Sequence, residues 1–210
     1  MKYIEKKKEP ECFSNWKSMA NDDWTPTYKT LSGKPKRSVQ DALLEEQGSI
    51  CCYCERRLTL QDSHIEHFNP QSNEEVDPLD FSNMLFSCQN ILTKSEPKHC
   101  GNLKGDWFDP DNLVSPFVPE CEDRFSYMVD GRITPKNSGD EAARQTIERL
   151  GLDIPKIRDM RKRVIEVFID EKITQKEIKK FVQSYLEKDT DKNFNDFHTT
   201  IRILSEKNII

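Results

Sequence analysis

Three features are missing from this sequence: a long apolar run, an apolar leader and an excess of basic residues. A membrane-spanning helix needs about 20 consecutive apolar residues, and no run in the chain approaches that length. The chain opens with Met1-Lys2-Tyr3-Ile4-Glu5-Lys6, which does not resemble a secretory signal peptide. We therefore expect a cytoplasmic protein without membrane association, in a compartment where thiols stay reduced.

Seven cysteines are present, which is an odd number. Cys51 and Cys54 form a C-x-x-C, whose short turn directs both sulfurs toward one ion, and two later cysteines, Cys88 and Cys100, can complete a tetrahedral Zn²⁺ site. Cys88 and Cys100 are farther apart in the sequence than the two cysteines of a second C-x-x-C would be. Buried thiols or disulfides are the alternative, but the odd count and the missing leader argue against an oxidised scaffold. The sequence thus predicts structural zinc. The remaining cysteines, expected to be ordinary thiols, are Cys12, Cys52 and Cys121.

Inside this cysteine frame lies His64-Ile65-Glu66-His67-Phe68-Asn69-Pro70. Hydrolysis of a phosphodiester requires a base for the attacking water and a means of stabilising negative charge. His67 suits the base, because a neutral imidazole is available near pH 7. Glu66 suits a hard divalent cation such as Mg²⁺ or Mn²⁺. On a strand, neighbouring side chains point to opposite faces, so His64 shares the face of Glu66 and is a candidate second-shell partner of the metal or its waters.

The segment Glu66 to Pro70, together with Asn83-Met84-Leu85 and the closing element from Cys100 to Gly105, resembles the HNH nucleases. The order of motifs is similar to the zinc-bearing members of that ββα-metal superfamily. With Glu45 to Gly48 and Tyr127 to Ile133 included, the chain looks most like the HNH component (PtuB) of Septu and retron-associated anti-phage systems. The resemblance implies a metal-dependent endonuclease that serves as the toxic effector of a defence complex.

The same resemblance assigns further residues. Asn83 corresponds to the asparagine that bonds backbone and steadies the metal loop. Many members place His or Asn directly after the final cysteine, whereas this chain has Gly101. Asn102 or His99 could then be the second protein ligand of the catalytic ion, and Asn102 is the preferred candidate. Lys104 is expected to contact phosphate.

Partners are also implied by the resemblance. In Septu-like systems the HNH protein works with an ABC-type ATPase (PtuA), and in the retron branch also with a reverse transcriptase and its multicopy single-stranded DNA. The substrate can be DNA, or RNA such as tRNA, because surfaces around the site read the 2′-hydroxyl. The alternative is a catalytically inactive, zinc-organised adaptor that binds nucleic acid or protein, which the glycine at position 101 favours.

The charge distribution limits how nucleic acid is bound. The net charge is −5, and residues 1–60, 61–137 and 138–210 contribute +2, −8 and +1. Neutralisation of phosphate supplies most non-specific affinity, so a freely diffusing nuclease should carry a basic face. We expect another component to present the nucleic acid, or a local basic track to bind it. The candidates for that track are Arg56, Arg57, Lys94, Lys98, Lys104, Arg158, Arg161, Lys162 and Arg163.

The fold class implied by the resemblance is α+β, with a small zinc-stabilised ββα-metal unit. We expect three regions: a lead-in over 1–49 with a short helix, a zinc-bound nuclease core with a hairpin over 50–137, and a helical, partner-docking region over 138–210. In the first region Ser38 can cap a helix that ends at Gly48. In the core we expect a zinc knuckle and a strand over 51–60, a second strand over 63–68 that completes the ribbon, and a helix that begins at Ser82 or Asn83.

After the core, alternating aromatic residues and Asp130-Gly131 predict a hairpin over 124–133. Apolar spacing predicts helices over 140–150, from Pro155, from Thr174 and over 194–204. Thr174 and Glu177 form a capping-box pattern, and Phe181 is expected to face inward.

Overall fold

The computed structural model describes residues 1–169 and 173–210, and within them the chain forms seven α-helices and four strands. The expected α+β class is confirmed. The helices are α1 (Glu11–Lys17), α2 (Gly33–Gln47), α3 (Gly101–Lys104), α4 (Glu141–Arg149), α5 (Pro155–Glu166), α6 (Gln175–Leu186) and α7 (His198–Glu206). The strands are β1 (Ser63–His67), β2 (Met84–Cys88), β3 (Phe125–Tyr127) and β4 (Ile133–Pro135).

The centre of the fold is the antiparallel pair β1 and β2, in which His64 lies opposite Ser87 and Glu66 opposite Leu85. The prediction of β1 is confirmed, but its partner differs from the one expected. Residues 51–60 form only an isolated bridge, Ile50 with Arg57. The segment expected to be a helix is a 3₁₀ turn, Phe81–Asn83, followed by β2. Every residue of β2 is buried, and a short apolar run of this kind does not distinguish strand from helix.

Helix α2 directly precedes the C-x-x-C turn. It ends at Gly48, as expected, where φ is +57°, a conformation that glycine adopts without strain. Its start is earlier than predicted, at Gly33, so Ser38 lies inside the helix and its hydroxyl donates to the Pro35 carbonyl at 2.8 Å. The buried side chain of Gln47 donates to the carbonyl of Phe86 at 2.8 Å and accepts from its N–H at 2.7 Å. This pair of bonds fastens α2 to β2.

Helix α7 packs on the back of the C-x-x-C turn. The buried carboxylate of Glu55 accepts the Thr199 N–H at 2.7 Å and pairs with the Met1 amine at 2.8 Å. The capping box at Thr174 is confirmed at the start of α6. The inward orientation expected of Phe181 is wrong, because its side chain is 56% exposed and α6 buries Ile178 and Val182 instead.

The predicted hairpin is confirmed as the pair β3 and β4. Its turn packs closely against α5. Gly131 has φ +84°, and a Cβ there would collide with the backbone carbonyl of Arg158. Arg161 is buried, and its guanidinium donates to the carbonyls of Gly131 and Leu152. This arginine therefore belongs to the interior.

Within the residues described, none of the helices has the length and apolarity required to cross a bilayer.

Replacement of Gly131 tests the packing of this turn. We expect Gly131→Ala to lower the free energy of unfolding by about 2–4 kcal/mol, because the left-handed φ is strained for alanine and the added methyl group meets backbone that cannot turn aside. Gly139→Ala is the matched control, since a Cβ there meets nothing within 4 Å and should change stability by less than about 0.5 kcal/mol. Urea unfolding measures both. Equal stabilities of the two variants would contradict the packing described.

Candidate functional site

Four sulfur atoms converge in the interior. The Sγ atoms of Cys51, Cys54, Cys88 and Cys100 all lie within 4.8 Å of one another, and all four residues are buried. They come from the turn after α2, the last residue of β2 and the residue before α3. Tetrahedral Zn²⁺ with bonds of about 2.3 Å places its sulfurs about 3.8 Å apart, and the Cys54 and Cys88 sulfurs are separated by 3.8 Å. All seven cysteines are free thiols. The cluster can hold a metal ion and is consistent with structural zinc.

The pKa shifts of the cluster thiols favour binding of a cation. Burial raises the pKa of the Cys54 and Cys100 thiols well above the usual value, whereas hydrogen bonding from Cys100 lowers the pKa of Cys88 to about 6. The four groups therefore do not ionise together unless a positive charge joins them. Arg56 supplies part of that charge: although burial opposes it, the neighbouring Cys88 sulfur raises the pKa of the guanidinium.

The two side chains expected to supply the second ligand of the catalytic ion are engaged with other partners. His99 is fully buried, and its Nδ1 lies 3.2 Å from the Cys100 sulfur and 3.6 Å from the Cys88 sulfur. The side-chain amide of Asn102 donates to the Gln89 carbonyl. His99 thus accompanies the sulfur cluster, and Asn102 holds the start of the loop that leads from β2 to α3.

Glu66 is buried on β1, and its two oxygens have different neighbours. Oε1 accepts from the Tyr53 hydroxyl at 3.2 Å and pairs with the Lys104 ammonium at 2.9 Å. Oε2 faces Nε2 of His64 at 3.7 Å. Burial would raise the pKa of Glu66, but His64 and the Lys104 charge hold it below the usual value. The carboxylate is therefore ionised at neutral pH.

Lys104 does not occupy the position expected of a phosphate contact. Its side chain is only 1% exposed, and its ammonium donates to the His67 carbonyl at 3.0 Å as well as pairing with Glu66. An ammonium buried to this degree needs a counter-charge, and the Glu66 carboxylate provides it. Lys104 is thus held inside the protein by Glu66 and the His67 carbonyl.

His67 has a defined tautomer. Its Nε2 lies 3.0 Å from the Pro78 carbonyl, and a carbonyl only accepts, so Nε2 carries the proton and Nδ1 carries the lone pair. The Gln71 amide donates to Nδ1 at 3.1 Å, and the Tyr28 ring packs edge-on at 4.8 Å between centroids. Burial lowers the pKa of the imidazole. A neutral histidine with an available lone pair is a suitable general base.

Asn83 clamps the loop that follows β1. Its Oδ1 accepts the Asn69 N–H at 2.8 Å, and its Nδ2 donates to the Asn69 carbonyl at 2.8 Å. The Asn83 carbonyl also accepts the N–H of Phe68 at 3.0 Å. These bonds fix the chain directly after His67 and Glu66.

Sequence reasoning missed Tyr53, Gln71 and Tyr28. Because Gln71 lies only four residues after His67, the sequence could have suggested that the two residues are close. Their hydrogen bond, however, depends on the turn at Pro70. Tyr53 stands inside the C-x-x-C, where the pattern draws attention to the cysteines alone. No local signal connects Tyr28 with the site, because the distance along the chain to His67 is long.

The basic residues proposed as a nucleic-acid track are largely engaged within the protein. Arg161 and Lys104 are buried, and Arg57 donates to the Phe194 carbonyl and to Asp189. The other ion pairs are Arg56 with Asp62, Arg158 with Asp153, Lys162 with Glu166 and Arg163 with Asp159. Lys94 and Lys98 are exposed. A continuous basic track is therefore not formed by this set.

Comparison with known proteins finds a relative in Vibrio cholerae. A protein of Vibrio cholerae serotype O1 biovar El Tor, named "Retron Vc95 putative HNH endonuclease", is 34% identical over 143 residues. The aligned segment makes up 64% of this chain and 66% of that protein, so the chain spans slightly less than two thirds of its relative. No protein-family model matches. The similarity supports an HNH endonuclease, the family that the Glu66-His67 motif resembles.

The cysteine cluster is tested by its metal content. We expect the purified chain to contain one zinc, and Cys100→Ala to lose it together with at least about 3 kcal/mol of stability, because binding of structural zinc is coupled to folding. Cys121→Ala is the matched control, since this thiol is also buried but lies outside the cluster. Elemental analysis and thermal unfolding measure the effect. Full zinc content in Cys100→Ala would contradict the assignment.

Proposed function

We propose that this chain is a metal-dependent HNH endonuclease that cleaves phosphodiester bonds of nucleic acid. The observation that carries the proposal is the pair on β1: an ionised Glu66 next to a neutral His67 whose proton is fixed on Nε2. The two strands followed by α3 supply the order of elements of a ββα-metal unit. The cysteines Cys51, Cys54, Cys88 and Cys100 would hold structural Zn²⁺.

Each side chain has a task in the hydrolysis. His67 accepts the proton of the attacking water at Nδ1, while the Pro78 carbonyl holds the ring in this tautomer. Glu66 would hold a divalent cation, Mg²⁺ or Mn²⁺, which stabilises negative charge on the phosphoryl group when bound. Asn83 keeps the loop after β1 in place. Gln71 is exposed, and its amide occupies the position from which the water must approach. The amide moves aside when the water binds.

The partners follow from what the surface lacks. Because most of the candidate track residues are buried or paired within the protein, with Lys94 and Lys98 the exposed exceptions, we propose that nucleic acid, DNA or an RNA such as tRNA, is presented within an assembly. The candidates implied by the family resemblance are an ABC-type ATPase and, in a retron, a reverse transcriptase with its single-stranded DNA, with anti-phage defence as the role. The C-terminal helical region offers exposed apolar side chains for docking, namely Val167, Ile169, Phe181 and Ile209.

Two observations favour a different function. The base atom Nδ1 of His67 is covered by Gln71, and position 101 carries no side chain that could bind an ion. A zinc-organised adaptor that binds nucleic acid or protein without cleaving it would show both features. Activity of the purified protein separates the two functions.

We expect His67→Ala to reduce cleavage of plasmid DNA or total tRNA by about 10²- to 10⁴-fold, the usual contribution of a general base. Activity is measured with and without the assembly partners, in Mg²⁺, in Mn²⁺ and in EDTA, which should abolish it.

His198→Gln is the matched control for this measurement. His198 lies in α7, and its Nε2 contacts the Leu186 carbonyl at 3.1 Å, a contact that a glutamine amide can replace. Its cleavage rate should equal that of the wild type. Undiminished cleavage by His67→Ala would exclude the proposed mechanism, and absence of cleavage by the wild type under every condition would favour the adaptor.

A further inference from the structure

We propose that His64 supplies the second protein ligand of the divalent cation, so that its Nε2 and the Oε2 of Glu66 bind one ion beside Gly101. This inference rests on the proposed function, because the ion is the one that the nuclease requires. It differs from the expected ligands Asn102, whose amide nitrogen donates to the Gln89 carbonyl, and His99, whose Nδ1 faces the Cys100 sulfur.

The first support is the space at Gly101. A Cβ added to this residue would collide with Oε2 of Glu66 and would lie 2.9 Å from Nε2 of His64. The backbone of α3 therefore approaches the two ligand atoms so closely that any side chain at position 101 would displace them. The His64 imidazole on β1 reaches the space that a side chain at position 101 would otherwise fill.

The second support is the separation of the two atoms. Nε2 of His64 and Oε2 of Glu66 are 3.7 Å apart, which exceeds the length of a hydrogen bond. Two atoms that each lie about 2.1 Å from one ion can be separated by up to about 4.2 Å. The pair is therefore separated by more than the usual hydrogen-bond length and is close enough to share an ion.

The third support is that the two oxygens of the Glu66 carboxylate have different partners. Tyr53 and Lys104 both bind Oε1, so Oε2 is the oxygen left for an ion. The His64 ring makes no hydrogen bond within residues 1–169 and 173–210, and its side chain is 24% exposed. Solvent reaches the ring, so an ion can enter with its water ligands and meet a phosphate on the outer side.

The ligand set also predicts which ions bind best. Carboxylate and water oxygens suit Mg²⁺ and Mn²⁺, whereas imidazole nitrogen favours transition metals, with affinity rising from Mn²⁺ to Co²⁺ and Ni²⁺. A site made of one nitrogen and one carboxylate oxygen should therefore bind Mn²⁺ more tightly than Mg²⁺.

The test is a titration of zinc-loaded protein with Mn²⁺, in which electron paramagnetic resonance counts the free ion. Loss of a second-shell partner alone weakens metal binding by about 10- to 100-fold, so His64→Ala should weaken Mn²⁺ binding at least about tenfold. Gly101→Ala should weaken it as well, although it removes no ligand atom. His64→Asp, which restores an oxygen ligand, should recover binding and shift the preference toward Mg²⁺.

Asn102→Ala is the control, and Mn²⁺ should bind it as tightly as the wild type. The inference is overturned if Asn102→Ala weakens Mn²⁺ binding and His64→Ala does not, or if neither changes it. Zinc content and thermal unfolding of each variant identify any that fail to fold, and His64→Asp then decides the outcome.

The titration also separates this inference from the proposed function. His64-dependent Mn²⁺ binding without cleavage would retain the ion site and exclude the nuclease. Cleavage that requires His67, together with Mn²⁺ binding that does not depend on His64, would retain the nuclease and exclude His64 as a ligand of the ion.

Discussion

Four sulfur atoms drawn from three separate parts of the chain meet within 4.8 Å, and this cluster joins the elements that carry Glu66 and its neighbours. Cys88 ends β2, so the cluster fixes the strand against which β1 pairs. Cys100 directly precedes α3, so the same cluster brings Gly101 and Lys104 against Glu66. A buried cluster of four cysteines at this spacing suits a metal cation, which would stabilise the thiolate form of all four. The cysteine cluster and the proposed catalytic ion are thus linked through the short helix α3.

Burial of Glu66 is the second constraint. A buried carboxylate costs several kcal/mol unless it is paired and hydrogen-bonded, and here Lys104 and Tyr53 meet that requirement at one oxygen alone. The other oxygen faces His64. The interior thus holds the carboxylate in its charged form and leaves one atom for an external ion, while His67 on the opposite face stays neutral through burial.

The sequence was informative where chemistry requires particular residue types at short spacing. The cysteine cluster, β1, the hairpin at Gly131 and the capping box at Thr174 follow from such local patterns, and the structure contains each of them. The pairing of β1 with β2 and the interior position of Lys104 did not follow, because a short apolar run is ambiguous between strand and helix and because the burial of a lysine depends on its tertiary partner. The proposal that His64 is a ligand likewise depends on the approach of Gly101 to Glu66 and His64, which only the structure shows.

The most direct test is a crystal of the protein grown with Mn²⁺, in which anomalous scattering at the zinc and manganese edges locates each metal. We predict a zinc peak centred among the sulfurs of Cys51, Cys54, Cys88 and Cys100, and a separate manganese peak between Nε2 of His64 and Oε2 of Glu66. A manganese peak bound by Asn102 or His99, or no zinc among the four sulfurs, would contradict the two linked metal sites described here.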